Sequence, residues 1–230
     1  MTENHVFMRP RRLTARLALV ATVASVGGLG AAVAIIRPAS AHTDYHTASY
    51  SSPKGNAHPT PGTTTPSLDI VGVTFGYNGS YLRFESRLTA ASKDPPQGFQ
   101  EQDFFWRFRV DKQYIYAEYT RSLNPYLNSQ TLIGTSTLNS DGTFSDAAGQ
   151  LCPLCYAHIN PKKGFVEFFV GLEPLNTALS KTTAGKNTSV SEGTKLTGLD
   201  ASSQADGDQQ GTSNFPADAA PAPKGLTLTI

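Results

Sequence analysis

Between residues 68 and 121 apolar and polar side chains alternate with a period of two, the signature of strands that bury one face and expose the other. Tyr81–Leu88 sets Leu82, Phe84, Ser86 and Leu88 against Tyr81, Arg83, Glu85 and Arg87. Residues 104–110 set Phe104, Trp106, Phe108 and Val110 against Phe105, Arg107 and Arg109, and residues 113–121 set Ile115, Ala117 and Tyr119 against Tyr114, Tyr116 and Glu118. A strand over 68–75 precedes these, joined to Tyr81–Leu88 through Asn78-Gly79, a strong short-range hairpin signal. Asp111-Lys112 reads as a second tight turn. Further strands are expected over 131–137, 154–159, 165–171, 195–200 and 226–230, with one short helix over 172–179.

About eight or nine short strands separated by turn residues, with almost no helical periodicity, predict an all-β fold. The expected architecture is an antiparallel β-sandwich of jelly-roll or immunoglobulin-like type, with a barrel as the alternative that shares the same alternation. Its core is expected to hold Leu82, Phe84, Leu88, Trp106, Phe108, Val110, Ile115, Val166, Phe168 and Val170. At roughly 1.5–3 kcal/mol for each large buried side chain, such a core holds without covalent help.

The N-terminal third reads differently. Arg9, Arg11, Arg12 and Arg16 precede an uncharged run over 17–36, and Ala39-Ser40-Ala41 follows. A basic n-region, an apolar h-region and a small-x-small site make a secretory signal over 1–41, cleaved after Ala41. The Arg11-Arg12 pair fits the twin-arginine pattern poorly, which favours the general route. Because ~20 residues suffice to cross a bilayer, an uncleaved N-terminal membrane anchor is the alternative. Residues 42–66, rich in His, Thr, Ser, Pro and Gly, read as a disordered tether with too little apolar surface to offset the entropy of ordering. The folded domain is then expected over 67–230. A formal charge of +1 with both signs interspersed leaves no basic stripe for nucleic acid.

The order of features also resembles a family of exported bacterial β-sandwich modules that occur alone or as accessory domains on secreted hydrolases. The residues that carry the likeness are Leu68-Asp69-Ile70-Val71, Tyr77-Asn78-Gly79-Ser80-Tyr81-Leu82, the aromatic pair of strands over 104–119, Gly164-Phe165-Val166-Glu167-Phe168 before Pro174-Leu175, and Lys195-Leu196-Thr197-Gly198-Leu199-Asp200. The likeness spans 67–230 and extends distantly to family 9 carbohydrate-binding modules and DOMON domains. It implies a sandwich in an exported setting and, by analogy, binding of a sugar or a surface; a fold alone does not fix function.

Four patterns bear on chemistry. Cys152-Pro153-Leu154-Cys155 reads as one disulfide closing a tight turn, since two thiols outside the cytoplasm are expected to oxidise. A zinc site would need a fourth ligand beyond Cys152, Cys155 and His158, and a redox centre would need a thioredoxin-like surrounding. Asp200, Asp206 and Asp208 are read as part of a Gly- and Ser-rich loop that lacks the EF-hand spacing for calcium. The glycosylation sequons at Asn78 and Asn187 are read as chance matches.

The fourth pattern is the set of outward residues Tyr81, Arg83, Phe105, Arg107, Tyr114, Tyr116, Phe165, Glu167 and Phe169. Rings stack on the apolar faces of sugars while Arg and Glu bond the hydroxyls, so these form a candidate ligand platform if their strands are neighbours. The plainer reading is a solvated sheet face, or one covered by a loop, with cross-strand pairs of about 0.2–1 kcal/mol each. No Gly-x-Ser-x-Gly elbow is present, and Glu85, Glu118 and Glu167 would act as glycosidase carboxylates only if paired in a cleft. The expectation is a secreted, non-catalytic module without cofactor or metal, binding polysaccharide or a cell-envelope component. An assembly protein that self-associates through sheet edges is the alternative, and an unrecognised hydrolase the third.

Overall fold

The computed structural model describes residues 45–57, 65–124, 129–207 and 214–230, which belong to one unit over Thr43–Ile230. The expected signal over 1–41 with its cleavage site, residues 58–64 of the expected tether and Asp208 lie outside the described residues.

 Residues 1–44, which include the whole of that signal, and residues 58–64, 125–128 and 208–213 are not among those described.

Within the described residues the chain forms β1 (His46–Ser51), β2 (Ile70–Tyr77), β3 (Tyr81–Leu88), β4 (Glu101–Val110), β5 (Gln113–Ser122), β6 (Ser129–Leu138) and β7 (Phe144–Asp146). There follow β8 (Gln150–Leu151), β9 (Tyr156–Asn160), β10 (Phe165–Gly171), the helix α1 (Leu172–Ser180), β11 (Lys195–Asp206), β12 (Asn214–Pro221) and β13 (Leu228–Thr229). All pairings are antiparallel. One sheet has the order β1-β2-β3-β10-β9; the other runs β12-β11-β4-β5-β6-β7, with β13 beside β11 and β8 beside β6. The all-β sandwich expected from the alternation is the fold observed.

Local chemistry explains the turns. Asn78 Oδ1 accepts from the N–H groups of Ser80 (3.1 Å) and Tyr81 (2.8 Å), and Gly79 takes φ +85°, a region open to a residue without Cβ. At the β4–β5 turn Asp111 takes φ 51°, which Asp tolerates better than most residues.

The inward faces meet in one aromatic core. Phe84 stands 5.3 Å from Phe75, 5.6 Å from Phe108, 6.1 Å from Phe168 and 6.4 Å from Trp106, ring centre to ring centre. Trp106 lies 5.9 Å from Phe168. All ten residues expected in the core are buried. The indole N–H of Trp106 would be costly to bury alone; it donates across the sandwich to Ser86 Oγ at 2.9 Å.

Residues 42–66 need correction. Instead of a tether throughout, His46–Ser51 pairs with β2 as an edge strand, with Ala48 and Ala57 buried. An edge strand needs apolar residues on one face only, and Ala48 and Tyr50 suffice. Tyr50 reaches across to donate to the Ala220 carbonyl at 2.6 Å, joining the edges of the two sheets. Buried Asp69 then fixes the following loop, accepting from the N–H groups of Gly55 and Asn56 and from the Thr89 hydroxyl.

Truncation at the ring cluster should be the most damaging of these changes. Phe84→Ala is expected to cost about 3–5 kcal/mol, and Ser86→Ala about 1–3 kcal/mol because it strands the Trp106 N–H. Urea unfolding midpoints of the two variants against the parent measure both.

Candidate functional site

The nine outward residues do not form one platform. Tyr81 and Arg83 on β3, with Phe165, Glu167 and Phe169 on β10, lie on the outer face of the five-stranded sheet. Phe105 and Arg107 on β4, with Tyr114 and Tyr116 on β5, lie on the outer face of the other sheet, on the opposite side of the sandwich. Alternation predicts which residues point outward, but it carries no information on which sheet holds each strand.

The face holding Arg107 is sealed. Phe105, Arg107 and Tyr116 are buried and Tyr114 is half-buried. Arg107 donates to Asp146 through Nε (3.2 Å) and Nη2 (2.6 Å), and through Nη1 to Asp200 (3.2 Å) and Ser202 (2.6 Å). Its guanidinium lies 4.8 Å from the ring centres of both Phe105 and Phe144. Ser136 Oγ donates to the same Asp146 carboxylate at 2.5 Å, and Tyr116 donates to the Ala147 carbonyl at 2.7 Å. The ring of Tyr116 fits because Gly134 has no side chain: a Cβ there would stand 2.4 Å from it. The segment from β7 to β8 therefore covers these residues, and planar stacking with a bidentate ion pair makes Arg107 a structural fastening.

Burial pushes the Asp200 carboxyl up to about 6, against the pull of Arg107 and with help from Asp146. Asp200 and Asp206 lie in β11, not in the loop expected for them. Among the described residues no three His, Cys, Asp or Glu side chains are grouped to hold a metal ion.

The outer face of the five-stranded sheet is more open. Arg83 Nη2 donates to Glu167 Oε1 at 2.9 Å and to Glu85, its neighbour two residues along β3. Glu85 and Glu167 are paired directly across β3 and β10, and His158 stands opposite Glu167 on β9. Rings surround this polar centre. Tyr156 lies 6.2 Å from Phe169 and 5.4 Å from His158, tilted by 31° and 34°, and His158 meets Phe165 edge-on at 5.9 Å. On the other side Tyr45 lies against Gly76, and Arg83 stands 5.9 Å from the Tyr45 ring centre. Phe165, Phe169, Tyr156 and His158 are half-exposed, and Tyr81 is 38% exposed.

Tyr45, Tyr156 and His158 were not among the residues singled out for this face. Tyr45 fell inside the expected tether, and β9 is too short to show a clear alternation. Glu118 lies on the other sheet, so it cannot join Glu85 and Glu167 as a third carboxylate. Those two share one arginine on a sheet face rather than lining a cleft.

Cys152 and Cys155 form the expected disulfide, with Cα atoms 5.2 Å apart. It closes a turn in which the Cys155 N–H donates to the Cys152 carbonyl at 3.0 Å, and leaves Leu154 71% exposed. No helix among the described residues is long and apolar enough to cross a membrane. Comparison of the chain with protein-family models, curated proteins and solved structures yields no match.

The raised Asp200 carboxyl has a pH signature. The folded state holds this proton more tightly than the unfolded chain, whose Asp titrates near 3.9. Its stabilising contribution is therefore fully present below about pH 4 and lost as pH rises through about 6. Two pKa units correspond to about 3 kcal/mol. Asp200→Asn should flatten the fall in stability between those pH values, as read from urea midpoints across the range.

Proposed function

We propose that this protein is an exported, non-catalytic binding module whose ligand face is the outer surface of the five-stranded sheet, with polysaccharide or a cell-envelope saccharide as its target. The observation that carries the reading is the frame of half-exposed rings, Tyr156, Phe165 and Phe169, set around the Arg83–Glu85–Glu167 centre. Rings offer apolar surface to the faces of sugar residues, and a fixed carboxylate–guanidinium group offers acceptors and donors to their hydroxyls. The residues on the opposite sheet take no part, being covered. The resemblance to exported sandwich modules supports the same reading, and the basic, apolar and small-x-small segments over 1–41 support export.

Retention of the purified protein on insoluble polysaccharides and isolated cell walls tests the function. The parent protein should be retained, and Tyr156→Ala and Phe169→Ala should each reduce retention several-fold while leaving the unfolding midpoint nearly unchanged. Retention no greater than that of an unrelated secreted protein would sink the proposal. Export has its own measurement: mass spectrometry of the protein recovered outside the cell should show a chain that starts at His42, and a retained leader would point to the membrane anchor instead.

A further inference from the structure

We infer that the saccharide this face accepts is a neutral one rather than a polyanion; the inference rests on the reading of the five-stranded sheet as the ligand face. The argument is one of charge at close range. Polyanion sites gather free cations, whose field draws the ligand in and whose N–H groups meet its charges. Here the cation at the centre is already committed: Arg83 donates through one nitrogen to both Glu85 and Glu167. Its side chain is 27% exposed and those of the two acids 13% and 9%, so the group is held in the surface rather than waving above it.

Two carboxylates against one guanidinium leave the centre with an excess of negative charge. An anionic group placed there would meet two carboxylates, with the guanidinium between them already shared by both. A hydroxyl meets the opposite situation, because carboxylate oxygens accept from O–H groups. Arg87, the one other arginine on this face among the described residues, is exposed beside Phe165 and brings the arginine and glutamate charges to balance. Lys162 and Lys163 are exposed in the turn that joins β9 to β10, past the end of the paired strands.

The rings complete the argument. Phe169, Tyr156, His158 and Phe165 are linked in an unbroken series of centre-to-centre steps between 5.4 and 6.2 Å along β9 and β10. That series gives apolar contact along one side of the charged centre. A ligand that is apolar on its ring faces and rich in uncharged hydroxyls at its edges satisfies both parts at once. Sugar acids bring the same ring faces and hydroxyls but add a carboxylate, which meets the excess of negative charge at the centre.

The test is calorimetric titration of the full protein with size-matched oligomers: neutral hexamers of glucose, mannose and N-acetylglucosamine, and hexagalacturonate as the polyanion. At least one neutral hexamer should bind, with an affinity that changes by less than about two-fold when salt is raised through the range in which exposed charges are screened. Glu167→Gln should weaken it about ten-fold or more, whereas the combined Arg87→Ala, Lys162→Ala and Lys163→Ala variant should bind as the parent does. Hexagalacturonate binding more tightly than every neutral hexamer, with strong salt dependence and loss in the combined variant, would overturn the inference and leave the sheet-face reading standing. Binding of none of the four oligomers also overturns it, and if retention on insoluble polysaccharide is absent as well, the sheet-face reading falls with it.

Discussion

The contact between Trp106 and the Phe84–Phe168 pair governs the rest of the molecule, because it is where the two sheets meet. Each sheet has an apolar face that water would otherwise wet, and neither is stable until the other covers it. The large rings fill the space between them, and the single polar atom they bring, the indole nitrogen, is satisfied by Ser86 on the facing sheet. That hydrogen bond fixes the sheets in register as well as in contact, since it is directional where ring packing is not. The fixed spacing in turn determines which residues are left facing outward.

What those outward faces do differs between the sheets. On the larger sheet the chain folds its own β7–β8 segment over the surface and fastens it with Arg107, Asp146 and Tyr116. A guanidinium enclosed by two rings and two carboxylates has little left to offer a ligand. On the smaller sheet Arg83 also sits between two carboxylates, but the rings around it remain half-exposed. The same three residue types, arginine, acid and aromatic, thus serve as a clasp on one side of the sandwich and as a surface on the other.

Much of the architecture was legible because the core strands carry strict alternation. Tyr81–Leu88 and Phe165–Gly171 have the bounds that their patterns predict, and Leu172–Ser180 extends the expected helix by one residue. The elements that escaped are those in which tertiary context replaces pattern. In β1 only Ala48 and Tyr50 face the protein, and a composition dominated by Ser, Thr, His and Pro hides them. Strand β12 carries Pro216 and Pro221, which argue against a strand in general but are tolerated at a sheet edge, where β12 lies. For the candidate site the division of residues between inward and outward was readable, whereas their division between two sheets was not. That division depends on the pairings β3–β10 and β4–β11, which join segments about eighty to a hundred residues apart and leave no local trace.

The placement of Trp106 has an optical consequence. It is the only tryptophan in the chain, and it is buried between the sheets with its nitrogen bonded to Ser86. Its emission therefore reports whether the two sheets are together and is blind to the outer faces. Ligands that settle on the five-stranded sheet would leave that emission unaltered and change instead the absorption of Tyr45, Tyr81 and Tyr156. One chromophore follows folding and another set follows occupancy, so the two events can be watched separately in the same unlabelled sample.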